Sequence, residues 1–97
     1  MFTIIWTPEA KDDFVQNILY LEKDFSDSVV EDFIVKVDSV IKILENDPQS
    51  FRLSDYKNIR QIPVVPQITM FYAIADNDQV LIIRLWNNYQ DRNRLEL

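Results

Sequence analysis

Phe2-Thr-Ile-Ile-Trp-Thr-Pro-Glu-Ala10 opens the chain with two structural periods back to back. Phe2, Ile4 and Trp6 alternate, so they share one face of an extended strand. Thr7 then offers a capping hydroxyl, Pro8 suits the first helical position, and Glu9 favours the helix dipole. From there Ala10, Phe14, Ile18, Leu21 and Phe25 recur every three to four residues, which predicts an amphipathic helix over residues 8–24. Ser26 or Ser28 restarts the chain, and Ser28 with Glu31 has the spacing of a capping box. Val30, Phe33, Val37, Val40, Ile41 and Leu44 line a second helix to about Glu45, and Asn46-Asp47-Pro48 stops it. The short connection predicts an antiparallel αα-hairpin.

The period changes beyond Pro48. Phe51 to Asp55 reads as a loop and Lys57-Asn-Ile-Arg-Gln-Ile62 as a strand. Pro63-Val-Val-Pro66 reads as a turn or irregular link, because proline cannot donate to a ladder. Ile68 to Ala75 is a mostly apolar strand. Asp76-Asn77-Asp78 is a tight turn in which Asn and Asp take positions usually given to Gly. Val80 to Trp86 is the last strand. The predicted order is β-α-α-β-β-β, an α+β fold in one domain, residues 1–97. Its αα-hairpin packs on one face of a small, mainly antiparallel sheet, and the three late strands form a meander.

Composition limits the chemistry. A chain of 97 residues, 47% hydrophobic and 12% aromatic, is long enough for one modest core. Its apolar runs fall far short of the roughly 18 residues of a membrane span, and no basic-then-apolar leader opens it. The absence of Cys fits a reducing cytoplasm. Without His or Cys there is no Ser-His or Cys-His nucleophile pair and no usual zinc set. Without Gly there is no phosphate loop of the Walker or dinucleotide type. No metal and no cofactor is expected. Asp12-Asp13 and Glu31-Asp32 are read as solvated helix faces, since adjacent helical carboxylates point in different directions.

Charge is unevenly placed. Residues 1–50 hold four Lys/Arg and eleven Asp/Glu, a net of −7, whereas residues 51–97 hold six and five, a net of +1. The last strand runs into Asn-Asn-Tyr-Gln-Asp-Arg-Asn-Arg (residues 87–94), with almost nothing apolar. Amides, a phenol and guanidinium groups at one end of a sheet suit recognition of an anion or a partner peptide.

The order of these segments resembles the RelE/ParE superfamily, the toxins of bacterial type II toxin–antitoxin modules. The resemblance is carried by I-I-W-T-P-E-A-K-D-D-F (Ile4 to Phe14) and by I-L-E-N-D-P (Ile43 to Pro48). The strand with Arg60, M-F-Y-A-I (Met70 to Ile74) and V-L-I-I-R-L-W-N-N (Val80 to Asn88) complete it. It implies the toxin of a plasmid-stabilisation type module, a growth inhibitor neutralised by a cognate antitoxin. RelE-like members are metal-independent ribonucleases that cut mRNA on the ribosome. ParE-like members poison DNA gyrase and do not cut RNA. A third reading is a non-toxic homologue that only binds its antitoxin.

Attack of a 2′-hydroxyl on a phosphate needs a proton acceptor, cations for the phosphorane-like oxygens and a donor to the leaving oxygen. The resemblance places Arg60 at the scissile phosphate and Tyr89 near a C-terminal tyrosine that stacks a base or moves a proton. Arg84 joins Arg60 if it points to the open sheet face; otherwise it pairs with a helix carboxylate. Lys57, Asn87, Asn88, Arg92 and Arg94 are candidate contacts to nucleic acid or target. Asn87 and Asn88 depart from the ribonuclease pattern, because neither amide titrates where a His or Arg often stands. Val64, Val65, Ile68 and Phe71 are expected to present an apolar surface to the antitoxin.

Overall fold

The computed structural model describes all 97 residues. The elements are β1 (Thr3–Trp6), α1 (Pro8–Asp24), α2 (Asp27–Asn46), a 3₁₀ turn (Pro48–Ser50), β2 (Arg60–Val65), β3 (Ile68–Ala75), β4 (Gln79–Asn87) and a second 3₁₀ turn (Arg92–Arg94). The sheet order is β1-β4-β3-β2. β1 runs parallel to β4, and the other pairings are antiparallel. The predicted element order therefore holds, and both helices pack on one face of the sheet.

The opening stretch folds for the reasons read from it. The Thr7 hydroxyl accepts from the Ala10 N–H at 3.1 Å and closes the first turn of α1. The same hydroxyl lies 2.9 Å from the Ile82 carbonyl and 3.0 Å from that of Ile83, so the cap also ties the helix to β4. β1 ends opposite Ile82, while β4 runs on to Asn87. The exposed edge of β4 beyond β1 is filled by α1 side chains. The Leu85 N–H donates to Asp13 Oδ2 at 3.0 Å, and the buried Asn17 amide donates to the Leu85 carbonyl at 2.9 Å. Polar side chains of a helix thus do the work of a missing strand.

One residue of β4 is out of step. Ile82 pairs with Tyr72 and Arg84 with Phe71, so Ile83 is a bulge. Before it Val80 and Ile82 face the helices; after it Leu85 does. Arg84 and Trp86 are thereby placed on the opposite face. The helix-side core joins Leu21, Phe33, Val37 and Leu44 to Ile68, Met70, Tyr72, Val80, Ile82 and Leu85. On the other face Phe71 and Trp86 pack with Leu95 of the C-terminal segment, flanked by Tyr56 and Ile59.

Several expectations are corrected in detail. β2 spans Arg60–Val65, not residues 57–62. Pro63 lies within it, exposed, where the register shifts on an edge strand, the two settings that tolerate proline. Residues 56–59 turn instead, with Asn58 left-handed at φ 62° and Ser54 Oγ donating to the Ile59 carbonyl at 2.7 Å. The cap of α2 is Ser26, and Ser28 lies inside the helix, its hydroxyl 2.8 Å from that of Ser26. The β3–β4 turn does place Asn77 and Asp78 in the left-handed region, at φ 61° and 55°.

Candidate functional site

Arg84 is the centre of the most constrained polar group in the molecule. Its Nε donates to Asp13 Oδ2 at 2.7 Å and a terminal nitrogen to Asp13 Oδ1 at 3.0 Å. This two-pronged pair is mostly shielded from water. The Arg84 guanidinium also sits 5.3 Å over the Trp86 ring. Its pKa is raised above the ordinary value, chiefly by the bond to Asp13, with Glu9 and Glu96 adding to the effect. Arg84 therefore pairs with a helix carboxylate, and Asp13 is a bridging group, not the solvated one expected.

Arg60 stands on the other side of the sheet. It pairs in register with Tyr72, whereas Arg84 pairs with Phe71, and adjacent strand residues face opposite ways. An Arg60 terminal nitrogen donates to the Phe51 carbonyl at 2.7 Å and to that of Gln49 at 3.4 Å. Arg60 thus stitches the loop after α2 to the sheet. The fully buried Tyr72 hydroxyl donates to the Pro48 carbonyl at 2.6 Å in the same region. Burial pushes the Tyr72 phenol up to about 12, opposed by the nearby Arg60 charge and reinforced by Asp47.

Of the remaining candidates, Arg92 shares the Phe71–Trp86 face with Arg84. Tyr89 is 68% exposed, beyond the end of β4. Asn87 is buried and accepts from the Tyr89 N–H at 2.9 Å. Asn88 clasps the β2–β3 turn, accepting from Thr69 Oγ1 at 3.0 Å and donating to the Pro66 carbonyl at 3.1 Å. Arg92 lies 5.5 Å over the Phe71 ring. Lys57 and Arg94 are exposed. Val64, Val65, Ile68 and Phe71 are 5% exposed or less. The chain's own core covers Val64, Val65 and Ile68, and its C-terminal segment covers Phe71, so they offer no free apolar surface.

The free apolar surface lies on the helices. Trp6, Phe14, Val15, Ile34, Val37 and Ile41 line an open groove of about 490 Å³, with Lys11 and Asp38 also on its wall. Val15 is 53% exposed and Ile34 43%. The signal was present in the sequence. Val15, Leu19, Ile34 and Val35 are aliphatic residues left off the core-facing stripes of the two helices, more than a solvated hairpin needs.

Two outcomes test this geometry. Asp13→Ala removes both the ion pair and the acceptor for Leu85, while Asp13→Asn keeps an acceptor. Urea unfolding should show Asp13→Ala the less stable by about 1–3 kcal/mol; equal stabilities would mean that the Leu85 bond contributes nothing. For Tyr72, the folded state holds its proton more tightly than the unfolded chain. Its contribution is complete below pH about 10 and is lost as pH rises towards 12, on the order of 2–3 kcal/mol. Absorbance titration should then find one of the four tyrosines ionising about two pH units late, and Tyr72→Phe should flatten the alkaline fall in stability.

Comparison with known proteins agrees with this architecture. No protein of curated function matches the chain in sequence. Among solved structures, a chain of the chromosomal ParDE toxin–antitoxin system from Pseudomonas aeruginosa is similar at 13% identity. The match covers 90% of this chain and 96% of that one, with a TM-score of 0.74. A YoeB/ParE toxin from Agrobacterium tumefaciens matches at 13% identity over 91% and 100% of the two chains, with a TM-score of 0.65. The YoeB–YefM complex from Staphylococcus aureus matches at 12% identity over 92% and 99%, with a TM-score of 0.61. At these identities the likeness establishes the fold. The family model for the ParE toxin of the type II toxin–antitoxin system parDE matches residues 4–92, nearly the whole chain, and the chain belongs to that family of toxins.

Proposed function

We propose that this toxin acts by binding, with DNA gyrase as its target, and does not cut RNA. The observation that carries the reading is the separation of the three groups a ribonuclease would need together. Arg60 and Arg84 lie on opposite faces of the sheet, each held by acceptors of its own chain, and Tyr89 stands in solvent apart from both. Arg60 and Arg84 cannot face one phosphate together, and Tyr89 stands beside neither. A surface toxin needs no such cluster. The setting proposed is the cytoplasm, where gyrase works. Purified chain should inhibit gyrase supercoiling and leave ribosome-bound mRNA intact; cleaved mRNA with normal supercoiling would overturn the reading.

The neutralising partner is an antitoxin seated in the helical groove, as befits a chain whose relatives include a ParDE system and a YoeB–YefM complex. The groove supplies aliphatic sockets. The hairpin around it, residues 8–46, holds four Lys against ten Asp/Glu, a net of −6. Lys36 and Lys42 are already beside Asp32 and Asp38. The segment that fits is an amphipathic helix with aliphatic anchors and basic flanks. Val15→Asp and Ile34→Asp, both at exposed positions, should keep the circular dichroism of the parent and weaken capture of the co-expressed product of the adjacent gene by at least tenfold. Undiminished capture would move the antitoxin elsewhere.

A further inference from the structure

The sheet face turned away from the helices is flanked by Tyr56 and Ile59 and closed by the chain's own C-terminal segment, and that closure is thin. From Gln90 onward every hydrogen bond is local. Gln90 N–H donates to the Asn87 carbonyl, Arg94 N–H to Asp91, Leu95 N–H to Arg92, and Asn93 N–H to the Asp91 carboxylate. The segment is held to the sheet by Leu95, packed against Phe71 and Trp86, by the Arg92 guanidinium over Phe71, and by the charge of Glu96 near Arg84.

Two buried polar atoms have no partner, the Trp86 indole Nε1, in the cluster that Leu95 covers, and Gln67 Oε1, at the β2–β3 turn. Trp86 is 3% exposed. Gln67 lies at the β2–β3 turn, where its carbonyl accepts from the Asn88 N–H, so it borders the point at which the segment leaves β4. An unpaired N–H and an unpaired C=O each disfavour the state that buries them. They match the acceptor and donor that a peptide backbone offers. The surroundings are Tyr56, Ile59, Phe71 and Trp86, with the Arg84 guanidinium over the Trp86 ring. Tyrosine, tryptophan and arginine are the side chains that carry most of the energy in protein interfaces.

We propose that residues 90–97 are a strap that lifts, and that the uncovered aromatic face grips the target protein. The target inserts an apolar side chain where Leu95 sat and sets backbone amide groups against Trp86 Nε1 and Gln67 Oε1. The inference rests on the reading of the chain as a binding toxin. It adds a second surface, separated from the antitoxin groove by the sheet.

Four measurements test it. In wild-type chain, the Arg94 and Leu95 amides should exchange hydrogen orders of magnitude faster than those of β3 and β4; equal protection means that the segment does not lift. With Trp6→Phe, Trp86 is the sole tryptophan, and adding Leu95→Ser should raise its acrylamide quenching several-fold. N-acetyl-leucinamide, one apolar side chain between two amides, should then shift Trp86 emission saturably in the Leu95→Ser chain and much less in its parent. An unshifted emission, or unfolding by Leu95→Ser, overturns the proposed site whatever gyrase does. Finally, with Trp6 retained, Leu95→Ser should lower the concentration that inhibits supercoiling several-fold and Trp86→Phe should raise it about tenfold. If gyrase inhibition is present but indifferent to both changes, the face does not meet the target. If wild-type chain leaves gyrase untouched, the gyrase reading fails and the face is not a gyrase-binding surface, while exchange and emission still report on the strap.

Discussion

Asp13 is the side chain on which most of the arrangement turns. One of its oxygens takes both the Leu85 N–H and the Arg84 guanidinium, and the other takes a second nitrogen of Arg84. The need arises from a mismatch of lengths. β1 has four residues and β4 has nine, so half of a central strand would face the interior with its backbone unpaired. Thr7, Asp13 and Asn17, spaced along one side of α1, supply the missing partners. That requirement places α1 against β4, and α2 then follows under the rest of the sheet.

The bulge at Ile83 belongs to the same constraint. Strict alternation from Val80 would turn Arg84 and Trp86 towards the helices and Leu85 away from them, burying a charge in the main core. The extra residue turns Leu85 in and Arg84 out. The Asp13–Leu85 bond lies immediately after it and pins the new phase. The functional consequence is direct. Arg84 reaches the face opposite Arg60, so the two strand arginines of a toxin-like sheet cannot converge on one phosphate.

What the sequence made legible was local. The cap at Thr7-Pro8-Glu9, the extent of α1 and of β3, and the left-handed pair in the β3–β4 turn all follow from residues within a few positions of each other. Three things did not follow. The parallel pairing of β1 with β4 joins segments more than seventy residues apart, and no short pattern encodes it. Pro63 reads as a breaker unless the strand is known to lie at an edge. The bulge cannot be seen in V-L-I-I-R-L-W, because any phase of that stretch keeps enough apolar residues on either face. The orientation of Arg84, and with it the candidate site, therefore depended on the one feature of β4 that its own residues do not announce.

The apolar surface was misassigned for a related physical reason. Val64, Val65, Ile68 and Phe71 look excessive for a sheet covered by only two helices. However, the α2 side of β2 and β3 and the folded-back C-terminal segment divide them between two cores. The true excess is on the helices, where Val15, Leu19, Ile34 and Val35 are each 43% exposed or more. A lone hairpin in water has no use for aliphatic residues on its outer side, and a cluster of this kind costs solubility unless a partner covers it. The acidic charge around the groove adds to this: it lowers self-association of the exposed patch and admits a basic segment. The negative charge thus lies on the helical half of the chain, and the nearly neutral half carries the aromatic and arginine side chains of the opposite sheet face.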